Sequence, residues 1–402
     1  MKKRNKILLI ILAIIFIVIL AVIVAFMYKS KLNDNAVFLG TERVFDNTSD
    51  NKKNAQVKIY QGNDRPIAVM IDNHSQAMPH AGLSKAYIVY EIIVEGGESR
   101  LMALFKGQSI DKIGPVRSSR HYFLDYAMEN DAIYVHYGWS PEAEGDINNF
   151  GINNINGLYD SNFWRVKDKK APHNAVTSTE KILETAKSKN YRTTSTAKSV
   201  LNYVTNEVNL DEEYGKTSST NLSSSNDITS TNTSLKNNSS STNKIASSNA
   251  TTSTDSKTSE IKVTDAKNIT IPYSTSNIVK WVYDEQNKVY QRYSKGIKEV
   301  EWDTGKEVTS KNIIIEFIKN SALSTSEDDE EKGRQTMTTI GTKDGYYITN
   351  GKAIKITCEK TSRKSPTVYR DENGQEIKVN DGNTFIQICP IDSNVKFESE
   401  WG

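Results

Sequence analysis

Residues 7–27 form an unbroken apolar run, and no other stretch limits the topology of the chain so strongly. At about 1.5 Å rise per residue, a helix of that length reaches about 30 Å, the thickness of a bilayer's hydrocarbon core. A cleavable signal peptide has a shorter apolar region and a small-residue cleavage site, and no clean one is visible here. A buried core helix fits poorly with a fully apolar run directly behind Lys2-Lys3-Arg4-Asn5-Lys6. That basic cluster outweighs Lys29 and Lys31 beyond the run and predicts an N-terminus held in the cytoplasm. The expectation is a single-pass protein of the cytoplasmic membrane: residues 1–6 a cytoplasmic basic tail, 7–27 a transmembrane anchor, and the bulk of the chain extracytoplasmic.

The remaining composition narrows the class. With 51 basic and 49 acidic residues the net charge is only +2, so there is no electrostatic case for nucleic acid. The two cysteines, Cys358 and Cys389, both lie late in the chain. Neither follows the apolar run, which excludes lipid attachment there. One disulfide and two small buried apolar residues are both compatible with their positions.

Residues 28–60 are polar and read as a stalk. Residues 61–215 read as a mixed α/β domain. Pro66-Ile67-Ala68-Val69-Met70-Ile71 is a short buried strand ending at Asp72. The runs at 86–94 and 100–105, joined through Gly96-Gly97, read as an antiparallel hairpin. A helix follows the Arg117/Arg120 turn, with Phe123, Leu124, Ala127 and Met128 on one face and Ser118 or Ser119 as N-cap. Another strand spans 132–137. Two more helices start near Pro141 and, through a Thr177/Glu180 capping box, near residue 178.

Residues 216–260 are dominated by Ser, Thr and Asn. They cannot bury enough apolar surface to offset ordering entropy and are expected to be a disordered linker. Residues 261–402 read as β-rich, with strands near 268–271, 278–283, 289–293 and 312–317. The dipeptides Asp344-Gly345, Asn350-Gly351, Asn373-Gly374 and Asp381-Gly382 are hairpin signals. They suggest an all-β domain, a small barrel or sandwich. The fold class is therefore α+β: mixed α/β, then all-β, behind one transmembrane helix.

Chemistry concentrates in the first domain. In Ile113-Gly114-Pro115-Val116-Arg117-Ser118-Ser119-Arg120-His121-Tyr122, two arginines and a histidine crowd a helix start, where the backbone dipole is already positive. An anion bound by Arg117 and Arg120, with Ser118, Ser119 and backbone N–H groups, would offset that charge. The competing reading is an internal ion-pair network with Glu91 or Glu95. All five histidines, His74, His80, His121, His136 and His173, lie here, at element ends, in loops or in a helix's first turn. No H-E-x-x-H or comparable pair supports a metal site. Ser140, in Gly138-Trp139-Ser140-Pro141-Glu142, lacks the final glycine of a nucleophile elbow. There is no phosphate-cradling glycine loop and no dinucleotide fingerprint, so no cofactor is expected.

The chain resembles the YerB-like lipoproteins of Gram-positive bacteria, built from a two-part domain of unknown function. The resemblance rests on Arg65 through Asn73, Gly82-Leu83-Ser84-Lys85-Ala86, Tyr90-Glu91 with Val94-Glu95-Gly96-Gly97, and Ile113 through Arg120. It continues in Val135-His136-Tyr137-Gly138-Trp139-Ser140 and Pro172-His173-Asn174, and in the β-rich part around Asn350-Gly351, Tyr369 to Gly374 and Gly382 to Pro390. It covers roughly residues 65–189 and 266–390. It implies a membrane-tethered protein outside the cytoplasm, with no defined activity. The family pattern is departed from in two ways: a retained transmembrane helix in place of a lipid anchor, and a long Ser/Thr/Asn insert.

Together these features predict a binding module of the cell envelope. Its partner would be an anionic envelope glycan, a peptide or a membrane protein, held by Arg117, Ser118, Ser119, Arg120 and His121. Asp72, Glu91, Glu95, His136, His173 and Asn174 complete the candidate site. The alternatives are an envelope hydrolase using Asp72, Glu95, His136 or His173, and a protein-interaction scaffold.

Overall fold

The apolar runs of the first half form strands buried on both faces: β1 (Ile67–Asp72), β2 (Ile88–Ile93), β3 (Ser99–Phe105) and β4 (Ile133–His136). In β1, Ala68 and Met70 point into one core while Ile67, Val69 and Ile71 point into another, as the two-residue strand period requires. A computed structural model describes residues 56–215, 260–323 and 333–399. The expected anchor, nearly all of the stalk, and the linker lie outside the described residues. Among the described residues no helix is long and apolar enough to cross a membrane.

A short strand β5 (Asn154–Asn156) completes the first half of the main sheet. The second half contributes β6 (Asn268–Pro272), β7 (Ile278–Asp284), β8 (Val289–Ser294), β9 (Asn312–Ile318), β10 (Gly341–Thr349), β11 (Lys352–Lys360), β12 (Val368–Asp371) and β13 (Thr384–Pro390). The main sheet runs β12-β11-β10-β9-β13-β2-β3-β1-β4-β5, with the short strand Thr264–Asp265 also paired to β11. Strands β8, β7 and β6 form the middle of a second sheet.

The β-rich half is therefore not a free-standing barrel or sandwich. Strand β13 pairs in parallel with β2, from Ile88 opposite Thr384 to Ile92 opposite Ile388, and with β9 on its other side. Each half alone would expose an apolar strand edge at this seam, and joining them removes both edges.

Helices α1 (His121–Glu129) and α2 (Pro141–Phe150) cover one face of the main sheet with Tyr122, Phe123, Tyr126, Ala127 and Ile147. The other face carries Ile182 and Ala186 of α3 (Thr179–Ser188), along with Ile269, Ile271, Trp281 and Tyr290 of the second sheet. Buried ion pairs tie the halves, including Lys360 Nζ to Glu129 at 2.7 Å with both side chains fully buried.

Three local expectations are corrected. The N-cap of α1 is Arg120, whose side chain makes no capping bond; Ser118 and Ser119 instead bond across to β4 and the loop after it. Ser178, not Thr177, caps α3, accepting the Lys181 N–H at 3.1 Å. Asp344-Gly345 is not a turn but lies inside β10, where a Cβ at Gly345 would sit 2.3 Å from the Ile315 carbonyl oxygen. Cys358 and Cys389 are both buried and unbonded.

Candidate functional site

Strands β1, β4 and β5 are parallel neighbours. Ligands of open α/β sheets gather beyond the carboxyl ends of such strands, where the connecting loops converge. Here those ends deliver Asp72 from β1, His136 from β4 and Asn156 from β5. The segment after β3 is laced over the end of β1: Asp72 N–H donates to the Pro115 carbonyl at 2.9 Å, and Arg117 N–H to Met70 at 3.0 Å. On its other edge the Val116 N–H donates to Ala175 at 2.6 Å. One strand end thereby brings Asp72, Arg117 and His173 together from three distant parts of the sequence.

Asp72 Oδ2 lies 2.7 Å from His173 Nδ1 and 3.5 Å from Arg117 Nε, and Oδ1 accepts the His74 N–H at 3.1 Å. Burial pushes the Asp72 carboxyl up, but Arg117, the His173 hydrogen bond and the His74 N–H together hold it below the usual carboxylate range. The imidazoles of His74 and His173 stack, with centroids 4.5 Å apart and planes within 14°. Asp72 is itself buried, yet the Arg117 side chain keeps 29 % of its surface exposed. Its one charged partner among the described residues is the loose contact to Asp72.

Arg120 is placed differently. Its Nε donates to Glu95 Oε2 at 2.9 Å, a second nitrogen reaches Glu95 Oε1, and Nη1 donates to the Ser119 carbonyl at 2.8 Å. Arg100 shares Glu95 Oε1 at 2.8 Å and donates to the Ser118 carbonyl at 2.8 Å. The expected two-arginine clamp is thus divided: Arg120 is buried within the internal network, and Arg117 alone faces outward. Three guanidinium groups meet two carboxylates in this cluster, leaving a positive surplus at its open edge.

The other candidates are mostly framework. Ser118 Oγ donates to the Tyr137 carbonyl at 3.0 Å, and Ser119 Oγ accepts the Tyr134 hydroxyl at 2.8 Å. His121 Nε2 lies 3.1 Å from Thr336 Oγ1. His136 is buried between the Gly138 carbonyl at 2.8 Å and Asn154 Oδ1 at 3.2 Å, and burial pulls its pKa down to about 4. Asn174 accepts from Arg165 at 2.7 Å and donates to the Val166 and Lys169 carbonyls, closing its own loop.

Glu91 is fully buried and pairs with Arg292 at 2.8 Å, while Arg292 also bonds Glu299, the partner of His80. That network lies between the sheets and has no access to a ligand. Ser140, buried, is the N-cap of α2 and no nucleophile. Among the described residues no three His, Cys, Asp or Glu side chains converge on a metal position.

The sequence reading missed an aromatic groove beside this cluster. A depression of about 310 Å³ is lined by Tyr137, Leu158, Tyr159, Phe163, Trp164 and Arg165, among others. The Tyr137 N–H donates to the Arg117 carbonyl at 3.0 Å, so the backbone of Arg117 adjoins the groove, while its side chain lies on Asp72 and is not one of the lining residues. Its signal was the density of aromatics in a loop rich in Asn and Gly, which has no period to mark it.

Residues 54–192 match the family described as Protein of unknown function (DUF3048) N-terminal domain, and residues 269–386 match its C-terminal domain. The chain is 27% identical over 339 residues to "Putative lipoprotein YerB" of Bacillus subtilis (strain 168), covering 81% of each chain. The chain belongs to the YerB-like family. The crystal structure of YerB protein from Bacillus subtilis superposes with a TM-score of 0.62 at 27% identity, covering 83% of this chain and 94% of that one. Both halves of the YerB-like domain are thus present; β2 lies within the segment matched by the first part, and the start of β13, residues 384–386, within that matched by the second.

Proposed function

We propose that this YerB-like chain is an extracytoplasmic, membrane-associated binding protein of the cell envelope, with an anion-binding site at Arg117. A relative named as a lipoprotein and the apolar run at residues 7–27 support the location. The observation that carries the site is the division of labour among the arginines. Arg100 and Arg120 are held by Glu95, whereas the Arg117 guanidinium reaches solvent with only a loose hold on Asp72. A carboxylate or phosphate docking there gains a charge-assisted, two-pronged contact.

Single substitutions separate the two roles. Arg117→Gln should fold with a melting temperature within a few degrees of wild type and lose salt-sensitive retention on an immobilised poly(glycerol phosphate) or polycarboxylate matrix. Arg120→Gln should destabilise by about 1–3 kcal/mol, because it removes charge-assisted hydrogen bonds to Glu95, which keeps Arg100 as its remaining partner. Equal retention by wild type and Arg117→Gln ends the proposal.

A second reading has one specific support. The Asp72–His173 hydrogen bond orients the imidazole as a buried carboxylate orients a general base. An envelope hydrolase on this pattern would release soluble fragments from cell-wall material and lose that release in His173→Gln. No release by the wild-type chain removes it.

A further inference from the structure

The groove beside Arg117 has a chemical character of its own. Tyr159 is 74% exposed and Trp164 39% exposed, and Leu158 is the one aliphatic side chain among its lining residues. Single exposed rings are ordinary, but exposed apolar side chains gathered around one depression mark an interaction site, and Leu158, Tyr159, Phe163 and Trp164 line the same one. These rings are also held in place. Trp164 and Arg165 pair with Val176 and Ala175 in a short antiparallel ladder. Asn156 Oδ1 accepts the N–H groups of both Gly138 and Leu158, at 2.9 and 3.1 Å, which fixes the loop carrying Tyr159. Tyr159 also leans on Trp139, with centroids 5.8 Å apart.

Charge completes the picture. Asp160 is neutralised by Lys189 at 3.0 Å and bonds the Asn156 N–H at 2.8 Å. Arg165 lies over the Tyr137 ring at 5.0 Å and spends one nitrogen on Asn174 at 2.7 Å. The remaining guanidinium donors of the exposed Arg165 are available to a ligand. The groove therefore offers aromatic faces, a few fixed polar groups and net positive charge, with little aliphatic surface. A sugar ring presents an apolar C–H face to an electron-rich ring face and hydroxyls at its edge. A lipid tail or an apolar helix would meet too little aliphatic wall.

We infer that this groove is a saccharide subsite for an acidic oligosaccharide, with its rings against Tyr159 and Trp164 and its carboxylate toward Arg165 and Arg117. The inference deepens the anion-binding reading and rests on it for the second cation.

The test uses the full-length chain and a β-1,4-linked N-acetylhexosamine disaccharide bearing a lactyl carboxylate, followed by intrinsic tryptophan fluorescence and calorimetry. The methyl ester of the same disaccharide and poly(glycerol phosphate) serve as comparison probes. Wild type should bind the acid about tenfold or more tightly than the ester, and Trp164→Ala should weaken the acid by a similar factor. Arg165→Gln should weaken the acid and leave the ester unchanged. Both positions are exposed, and an unchanged circular dichroism spectrum confirms folding.

Undiminished binding in a Trp164→Ala/Tyr159→Ala variant overturns the inference, as does equal binding of acid and ester. If only poly(glycerol phosphate) binds, and binding depends on Arg117, the saccharide subsite is refuted while the anion site stands. If the acid binds through Trp164 and Arg165 and Arg117→Gln changes nothing, the subsite stands and the role of Arg117 falls.

Discussion

Glu95 decides what each arginine of the turn can do. Burial alone would raise its carboxyl, but the Arg100 charge and the Arg120 hydrogen bond and charge override that and hold it at about 2, against an ordinary 4.5. A depressed carboxylate stabilises the fold fully above its unfolded pKa and loses that contribution as pH falls through the folded one. His136 and His80 act in a higher window. Burial, joined at His80 by the nearby Arg292 charge, pulls each from 6.5 to about 4. Their neutral forms stabilise fully above about pH 6.5, and that part is lost as pH falls through 4. Denaturant titrations at successive pH values should therefore show stability falling first between pH 6.5 and 4, then further between 4.5 and 2. His136→Gln should flatten the first decline and Glu95→Gln the second. A level profile from pH 7 to 4 would contradict the burial of neutral imidazole.

At the scale of elements, local patterns carried most of the secondary structure. Strands buried on both faces read as continuous apolar runs, which is why the runs at 66–71, 132–137 and 312–317 fall on β1, β4 and β9, each end within one residue of the strand formed. The Asn350-Gly351 hairpin was visible because both residues adopt positive φ, 49° and 77°, as a type I′ turn requires. Gly351→Ala should cost about 1–2 kcal/mol. Its new methyl would also stand 3.1 Å from the Tyr283 ring. A loss under a few tenths of a kcal/mol by chemical denaturation would show that the turn relaxes freely.

Pattern failed where the reason for a residue lies elsewhere in the chain. Gly345 looked like turn chemistry but answers to the close approach of Ile315 from the neighbouring strand. Arg117 and Arg120 are nearly adjacent and identical in type. Only the tertiary positions of Asp72 and Glu95 distinguish the outward group from the buried one. Tyr159 sits in a loop and Trp164 in a two-residue strand too short to show a period, so composition alone gave no reason to group them with Arg117.

The whole molecule is held by pairings that cross the sequence. Besides β2 with β13, Arg363 of the second half bonds Asp125 and Asp146 of the first at 2.6 and 2.8 Å. Residues 56–215 produced alone should aggregate or remain unfolded, since β2 would present a bare apolar edge. Co-expression with residues 260–402 should rescue a soluble complex that copurifies. A folded monomer from residues 56–215 by themselves, seen as dispersed amide resonances, would refute the dependence.

The seam also dictates an order of events. Strand β13 (Thr384–Pro390) lies far beyond β2 (Ile88–Ile93) in sequence, yet the two are neighbours in the middle of the main sheet. A polypeptide emerging from its amino end cannot zip that sheet shut until β13 has followed. The early strands must therefore be shielded from self-association while the whole stretch between the two partners is being made.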